Sequence, residues 1–179
     1  MQSDDLNEKA VLRSINYVPS SKLQALLRSL ESHSFKAVIF SQWTGMMNFI
    51  ESGLKTKSIE FTRLDGSLSQ KEREKVLQLF QESTGPRVLL ASLRACGVGL
   101  NLTSASYVYL MDPWWNASVE NQAIDRVHRL GQVRPVVVTR YIMRDTVEEK
   151  MLSIQAQKSK LVGALEDKVG LEQLYEFFQ

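Results

Sequence analysis

Residues 36–80 read KAVIFSQWTGMMNFIESGLKTKSIEFTRLDGSLSQKEREKVLQLF, and two hydrophobic periods alternate along them. Ala37 to Phe40 is a continuous apolar run, the mark of a strand covered on both faces. Met46, Met47, Ile50 and Leu54 then recur at helical spacing. Phe61 to Leu64 forms a second short strand, and Ser69 with Glu72 has capping-box spacing for a helix through Phe80. Upstream, Leu23, Leu26, Leu27 and Leu30 predict a helix over 21–32. Downstream, Thr84-Gly85-Pro86 breaks the chain before a strand over 87–91, and Tyr107 to Met111 reads as another strand. A helix follows with Asn116 as N-cap, and Pro135 opens a strand through about Met143. Thr146 and Glu149 repeat the capping-box spacing for a long C-terminal helix, with a short last one over Leu171 to Phe178. Strands alternating with helices predict an α/β fold, a parallel sheet with helices on both faces. The division expected is a lead-in over 1–18, a lobe over 19–145 and a C-terminal helical extension over 146–179.

Composition narrows the function. The 179 residues are 44% hydrophobic and 23% charged, with a net charge of +2. That balance excludes blanket polycation binding, so any nucleic-acid contact must come from local patches. The one cysteine, Cys96, excludes an internal disulfide and a cysteine-cluster zinc site, and suits a reducing compartment. No apolar run approaches the ~20 residues of a membrane span, so no membrane role is expected. The acidic, polar opening is not that of a secretory signal.

In open parallel sheets, ligands gather at the carboxyl ends of the strands. The loops following the first four predicted strands carry Ser41-Gln42-Trp43, Asp65-Gly66-Ser67, Ser92 with Arg94 and Gly97 and Gly99, and Asp112-Pro113-Trp114-Trp115-Asn116. Together they form an elongated, phosphate-compatible edge. Gly97 and Gly99 let backbone amides approach phosphate or ribose, though such a pair equally serves a tight bend. Asp65-Gly66-Ser67 is, alone, a common turn. Trp114 and Trp115 read first as packing residues, Cys96 as a small buried side chain and His33 as a surface residue near a helix end. His128 has no second histidine nearby, so no metal site is expected.

The run QAIDRVHRLGQ at 122–132 sets Gln122, Arg126 and Arg129 at i, i+4 and i+7 on one helical face. Val119, Ala123, Val127 and Leu130 form an adjacent apolar stripe, and Gly131 suits the left-handed residue past a helix end. Two guanidiniums on a docked helix can meet phosphate oxygens bidentately, or can be merely solvated. The chain contains neither a G-x-x-x-x-G-K-[ST] phosphate loop nor an acidic magnesium box. It could supply arginine fingers but not the lysine and carboxylates of an NTPase site. A half-enzyme whose partner lobe lies elsewhere is the expected resolution.

In chain order, KAVIFSQW (36–43), FTRLDGSLSQKER (61–73), VLLASLRACGVGLNLTSA (88–105), YLMDPWWN (109–116) and QAIDRVHRLGQ (122–132) resemble the C-terminal helicase-lobe motifs of superfamily-two motors. DPWWN, HRLGQ and the trailing VVVTRYI and TVEEKML resemble SWI/SNF-type DNA translocases, and the helicase-like transcription factor group most of all. The likeness covers about residues 19–165. It implies a RecA-like lobe closing on an N-terminal ATPase lobe that holds most of the ATP and Mg2+. Arg126 and Arg129 match the arginine fingers, Gln122 the glutamine coupling nucleotide to DNA, and Gly97 and Gly99 the backbone beside the nucleotide. Ser41, Gln42, Gly66, Ser67 and Ser92 match positions along the phosphate track of double-stranded DNA. The resemblance further implies a nuclear chromatin or DNA-repair factor, with nucleosomes or repair proteins as partners. Two departures stand out: Cys96 where the family has glycine, and Ala117 where it has proline. The competing readings are an RNA-helicase lobe, a non-catalytic DNA- or protein-binding module, and a small-molecule enzyme on an unrelated doubly wound fold.

Overall fold

The computed structural model describes residues 19–95 and 100–166. The elements alternate as expected: α1 Ser21–Glu31, β1 Ala37–Ser41, α2 Thr44–Thr56, β2 Phe61–Leu64, α3 Gln70–Gln81 and β3 Val88–Ser92. A single 3-10 turn, Leu93–Ala95, precedes β4 Tyr107–Leu110, α4 Ala117–Ile124, β5 Val137–Arg140 and α5 Val147–Glu166. The five strands lie in the order β2-β3-β1-β4-β5. Every neighbouring pair is parallel, with Ala37 level with both Val88 and Tyr107. The predicted last helix over 171–178 lies outside the described residues.

The apolar strand runs are explained by two cores. Val38, Phe40, Leu89, Ala91, Val108 and Leu110 face one way, packing with Phe80 of α3 and with Ala123 and Val127. Ala37, Ile39, Val88, Leu90 and Tyr109 face the other, against the α1 leucines and Met47, Ile50 and Leu54 of α2. A strand with period two must be apolar at every position when both faces are covered. Helices α1 and α2 approach closely at Gly53, where an added Cβ would sit 3.2 Å from Leu27 and 3.3 Å from Leu23.

Local signals set most boundaries. Ser69 and Glu72 form the predicted reciprocal capping box of α3, and the Asn116 side chain caps α4 by accepting from the Ser118 amide at 3.0 Å. At α5 the Thr146 hydroxyl accepts from the Glu148 amide at 3.2 Å, while Glu149 reaches the Asp145 amide at 3.1 Å. Strand β5 stops at Arg140, short of the expected Met143. Its partner β4 has already ended at Leu110, and the Met143 amide turns to Glu148 at 2.8 Å.

The largest correction concerns residues 122–132. Helix α4 ends at Ile124, and the chain continues in turns through Gly131. Competing tertiary hydrogen bonds account for the ending. The Leu102 amide takes the Arg126 carbonyl at 2.9 Å, and the Gln132 side-chain amide donates to the carbonyls of Val127 at 3.3 Å, Thr103 at 3.1 Å and Ala105 at 2.6 Å. Gly131 does adopt a positive φ of +101°, as expected, but closes a turn rather than a helix. Leu130 leaves the predicted stripe altogether and is 99% exposed.

Candidate functional site

The carboxyl edge of the sheet gathers the loops that follow β1, β2, β3 and β4. Ser41 at the end of β1 is buried and level with Ser92, buried at the end of β3. The Ser41 hydroxyl donates to Asp112 Oδ2 at 2.5 Å, and the Gln42 amide donates to the same oxygen at 3.2 Å. Gln42 Nε2 reaches the Pro113 carbonyl at 3.1 Å. Burial pushes the Asp112 carboxyl above its usual range, against the opposing pull of Ser41, the Gln42 amide and Lys22. Lys22 bridges from α1, donating to the Met111 carbonyl at 2.8 Å and to Glu148 of α5 at 2.6 Å.

After β2, Gly66 and Ser67 are exposed. Asp65 Oδ1 accepts from the Ser67 amide at 2.9 Å and its hydroxyl at 2.6 Å, while Arg63 Nε holds Oδ2 at 2.7 Å. Burial raises the Asp65 carboxyl, but the Ser67 bonds and the Arg63 charge outweigh it and hold the group below its ordinary range. A Cβ placed on Gly66 would meet nothing within 4 Å, so this stretch of backbone is open to an approaching ligand. Of the five sequence-predicted track residues, only Gly66 and Ser67 are exposed. The hydroxyls of Ser41 and Ser67 and the amide of Gln42 are engaged within the loops they shape.

The tryptophans divide. Trp114 packs against the core, whereas Trp115 is 51% exposed and Trp43 62% exposed. The packing expectation therefore fails for Trp115. With Gln42, Pro113, Val147 and Met151 they line an open cleft of about 430 Å³. Such broad rings at the mouth of a polar edge can lie against an apolar or π surface.

Sequence reasoning missed Glu120, the hub of this region. Its side chain is fully buried. Oε1 accepts from the Trp114 amide at 2.7 Å and from Gln155 Nε2 of α5 at 2.8 Å, and Oε2 pairs with Arg140 Nε of β5 at 2.8 Å. One carboxylate thus ties the tryptophan loop to α4, β5 and α5. A signal was present: Glu120, Ala123 and Val127 share helical spacing, which put a carboxylate on the apolar stripe.

The arginine segment rests on residues 100–102. Besides the bond from Leu102 to the Arg126 carbonyl, Arg129 Nη1 donates to the Leu100 carbonyl at 3.4 Å. Arg126 is half-buried, and its buried Nε has no hydrogen-bond partner among the described residues. Arg129 and Gln122 are exposed, as is His128. Gly97, Gly99 and Cys96 lie outside the described residues, immediately before the segment on which the arginines rest. His33 is no simple surface residue. Its ring stacks on Tyr107 at 3.7 Å and its Nε2 meets the Tyr109 hydroxyl at 2.8 Å, and burial aided by the Arg87 charge lowers its pKa. Among the described residues no group of three or more His, Cys, Asp and Glu is placed to hold a metal ion.

A five-stranded parallel sheet covered by helices on both faces, with an arginine segment between α4 and β5 seated on residues 100–102, defines the class: a RecA-like lobe. The profile of the helicase conserved C-terminal domain matches residues 21–131. The chain belongs to that family. It is 51% identical over 158 residues to the DNA repair protein RAD5B of Arabidopsis thaliana, covering 85% of this chain and 12% of that protein. Over 156 residues it is 46% identical to the human helicase-like transcription factor, covering 83% of this chain and 16% of the relative. Among solved structures, the C-terminal part of the Fun30 ATPase domain superposes with a TM-score of 0.72 at 33% identity, over 76% of this chain and 45% of that one. The chain therefore spans a small fraction of the curated relatives it matches. The RecA-like fold and the SWI/SNF-type likeness read from the motifs agree with these similarities.

Proposed function

We propose that this lobe is the second half of an ATP-driven double-stranded-DNA translocase, acting in DNA repair or chromatin remodelling in the nucleus. The observation that carries the reading is the seating of Arg126 and Arg129 on Leu100 and Leu102, directly after Gly97 and Gly99. The Arg126 Nε is unpartnered among the described residues, and a guanidinium with free donors suits a phosphate oxygen. Arg126 and Arg129 would stabilise charge on the transferring phosphoryl group, an effect worth ~10³–10⁵ in rate. Gln122 would link that site to DNA. ATP with Mg2+ would be held chiefly by an N-terminal ATPase lobe, since magnesium carboxylates and the phosphate-loop lysine are missing from this sequence.

The DNA track would run over the carboxyl edge, past Gln42, Gly66 and Ser67, with Ser41 and Ser92 shaping the loops from beneath. Phosphate contacts of this kind carry no base sequence. The lobe would extend over 19–145 and the helical extension over 146–179, and nucleosomes or repair proteins would be its wider partners. Relatives named as DNA repair proteins support DNA over RNA as the substrate. The test is stimulation of ATP hydrolysis in the two-lobed protein. Duplex DNA should accelerate it and single-stranded RNA should not, while this chain alone should match a buffer blank. Turnover by the chain alone would overturn the half-site.

A further inference from the structure

The amino edge of the sheet, opposite the edge where Ser41 and Ser92 end their strands, carries cations and hydroxyls that the proposed motor does not use. Lys36 immediately precedes β1, Ser106 immediately precedes β4, and Arg134 stands shortly before β5. Because β1 and β4 are adjacent, these residues converge within roughly 10 Å, two strand spacings. The Ser106 amide donates to the Lys36 carbonyl at 3.1 Å, fixing the two together. Ser34, Phe35, Lys36, Ser83, Ser104 and Arg134 line an open cavity of about 340 Å³ here.

Two features set this cavity apart. Among the described residues neither cation is in salt-bridge contact with a carboxylate, although the Glu82 charge is near enough to act on Lys36. Lys36 Nζ is held by the carbonyls of Phe80 and Glu82, and Arg134 Nη2 by the Ser104 carbonyl at 2.7 Å. The Arg134 guanidinium lies 5.8 Å over the Phe35 ring, which orients its plane without neutralising it. Secondly, the hydroxyl of the lining residue Ser104 is buried and without a hydrogen-bond partner among the described residues. An unsatisfied buried hydroxyl costs about 1–3 kcal/mol, so it persists where something else completes it.

We propose that this cavity is a second, unassigned anion site, taking a phosphate-type oxyanion between Arg134 and Lys36 with the Ser104 hydroxyl as a further donor. Several donors converging around two cations suit a tetrahedral oxyanion, and a guanidinium fork can grip two of its oxygens. The phosphate could be free or part of a nucleic-acid backbone. The chemistry is the same, and the site stands independently of the motor reading because it shares no residue with it.

The test is a titration of the 15N-labelled chain with inorganic phosphate, ionic strength being held constant with chloride. The site predicts saturable shifts at the amides of Ser34, Ser104 and Arg134. Arg134→Gln should weaken binding by about tenfold or more, the loss of one charge-assisted hydrogen bond. Ser104→Ala should weaken it less, and Lys71→Gln, a remote cation, not at all. A short DNA duplex moving the same amides identifies a backbone phosphate as the source, and shifts with phosphate alone identify the free ion. Linear shifts matched by chloride, or a response unchanged in both Arg134→Gln and Ser104→Ala, would overturn the proposal.

Discussion

The buried carboxylate of Glu120 accepts the backbone amide of Trp114 at 2.7 Å, so the loop bearing the exposed Trp115 hangs from the helix that leads into the arginine segment. Sequence separation between the two is small, yet the bond joins two functional loops. The same carboxylate reaches Arg140 and Gln155, so α5 and β5 are registered to that loop as well.

Removing that carboxylate takes one acceptor from the Trp114 amide and one of two from Gln155 Nε2, which keeps the Trp114 carbonyl, and breaks the ion pair with the part-exposed Arg140, each loss worth about 1–3 kcal/mol at most. Glu120→Ala should therefore cost about 3 kcal/mol in denaturant unfolding, and Glu120→Gln less. A loss below about 0.5 kcal/mol would mean that the cluster is not a structural hub.

Asp65 gives an acid-sensitive contribution. Its pKa is depressed in the folded state, so its stabilisation is present above the ordinary value of 3.8 and is lost as pH falls through the folded value. Asp65→Asn should lower stability at neutral pH and flatten the acid limb below about pH 4. Urea midpoints measured across that range check the sign, and an unchanged acid limb would contradict it.

Two glycines of α2 should respond oppositely. At Gly53 the leucines of α1 stand within 3.2–3.3 Å of any Cβ, so Gly53→Leu should cost about 1–3 kcal/mol or more. Gly45 has open space, and Gly45→Ala should gain up to about 1 kcal/mol of helix propensity. Thermal melts of the two variants decide this, and similar shifts would contradict the close α1–α2 approach.

DNA binding by the chain alone should be weak and indifferent to sequence. Its dependence on salt should correspond to about one to three phosphates neutralised. Gly66→Glu places a charge on the open turn without a clash and should weaken binding while sparing the fold. Fluorescence titration of a labelled duplex measures this, and unaltered affinity would remove the β2 loop from the track.

Much of this architecture is written locally, and that part was legible. Ser69 and Glu72 satisfy each other within one turn, and the apolar runs at Ala37–Phe40 and Val88–Ala91 need only a covered sheet to make sense. The reading failed where distant groups decide. Nothing in QAIDRVHRLGQ announces that Leu102 will take the Arg126 carbonyl or that Gln132 will reach Thr103 and Ala105. Those bonds end α4 early and expose Leu130. The serines matched to the phosphate track do lie on the loops at the carboxyl edge of the sheet, but burial and the carboxylates of Asp112 and Asp65 claim two of their hydroxyls.

The central claim is that Arg126 and Arg129 complete a nucleotide site lying mostly on another lobe. DNA-stimulated ATP hydrolysis of the two-lobed protein tests it most directly when read beside the melting temperature of each variant. Arg126→Ala and Arg129→Ala should each lower turnover by about 10³-fold or more, and Arg129→Lys should fail for want of the planar fork. Melting should barely change, because among the described residues Arg126 Nε has no partner to lose and Arg129 donates to the Leu100 carbonyl at a long 3.4 Å. Near-normal turnover in either alanine variant, or a loss of activity that tracks unfolding, would contradict the account.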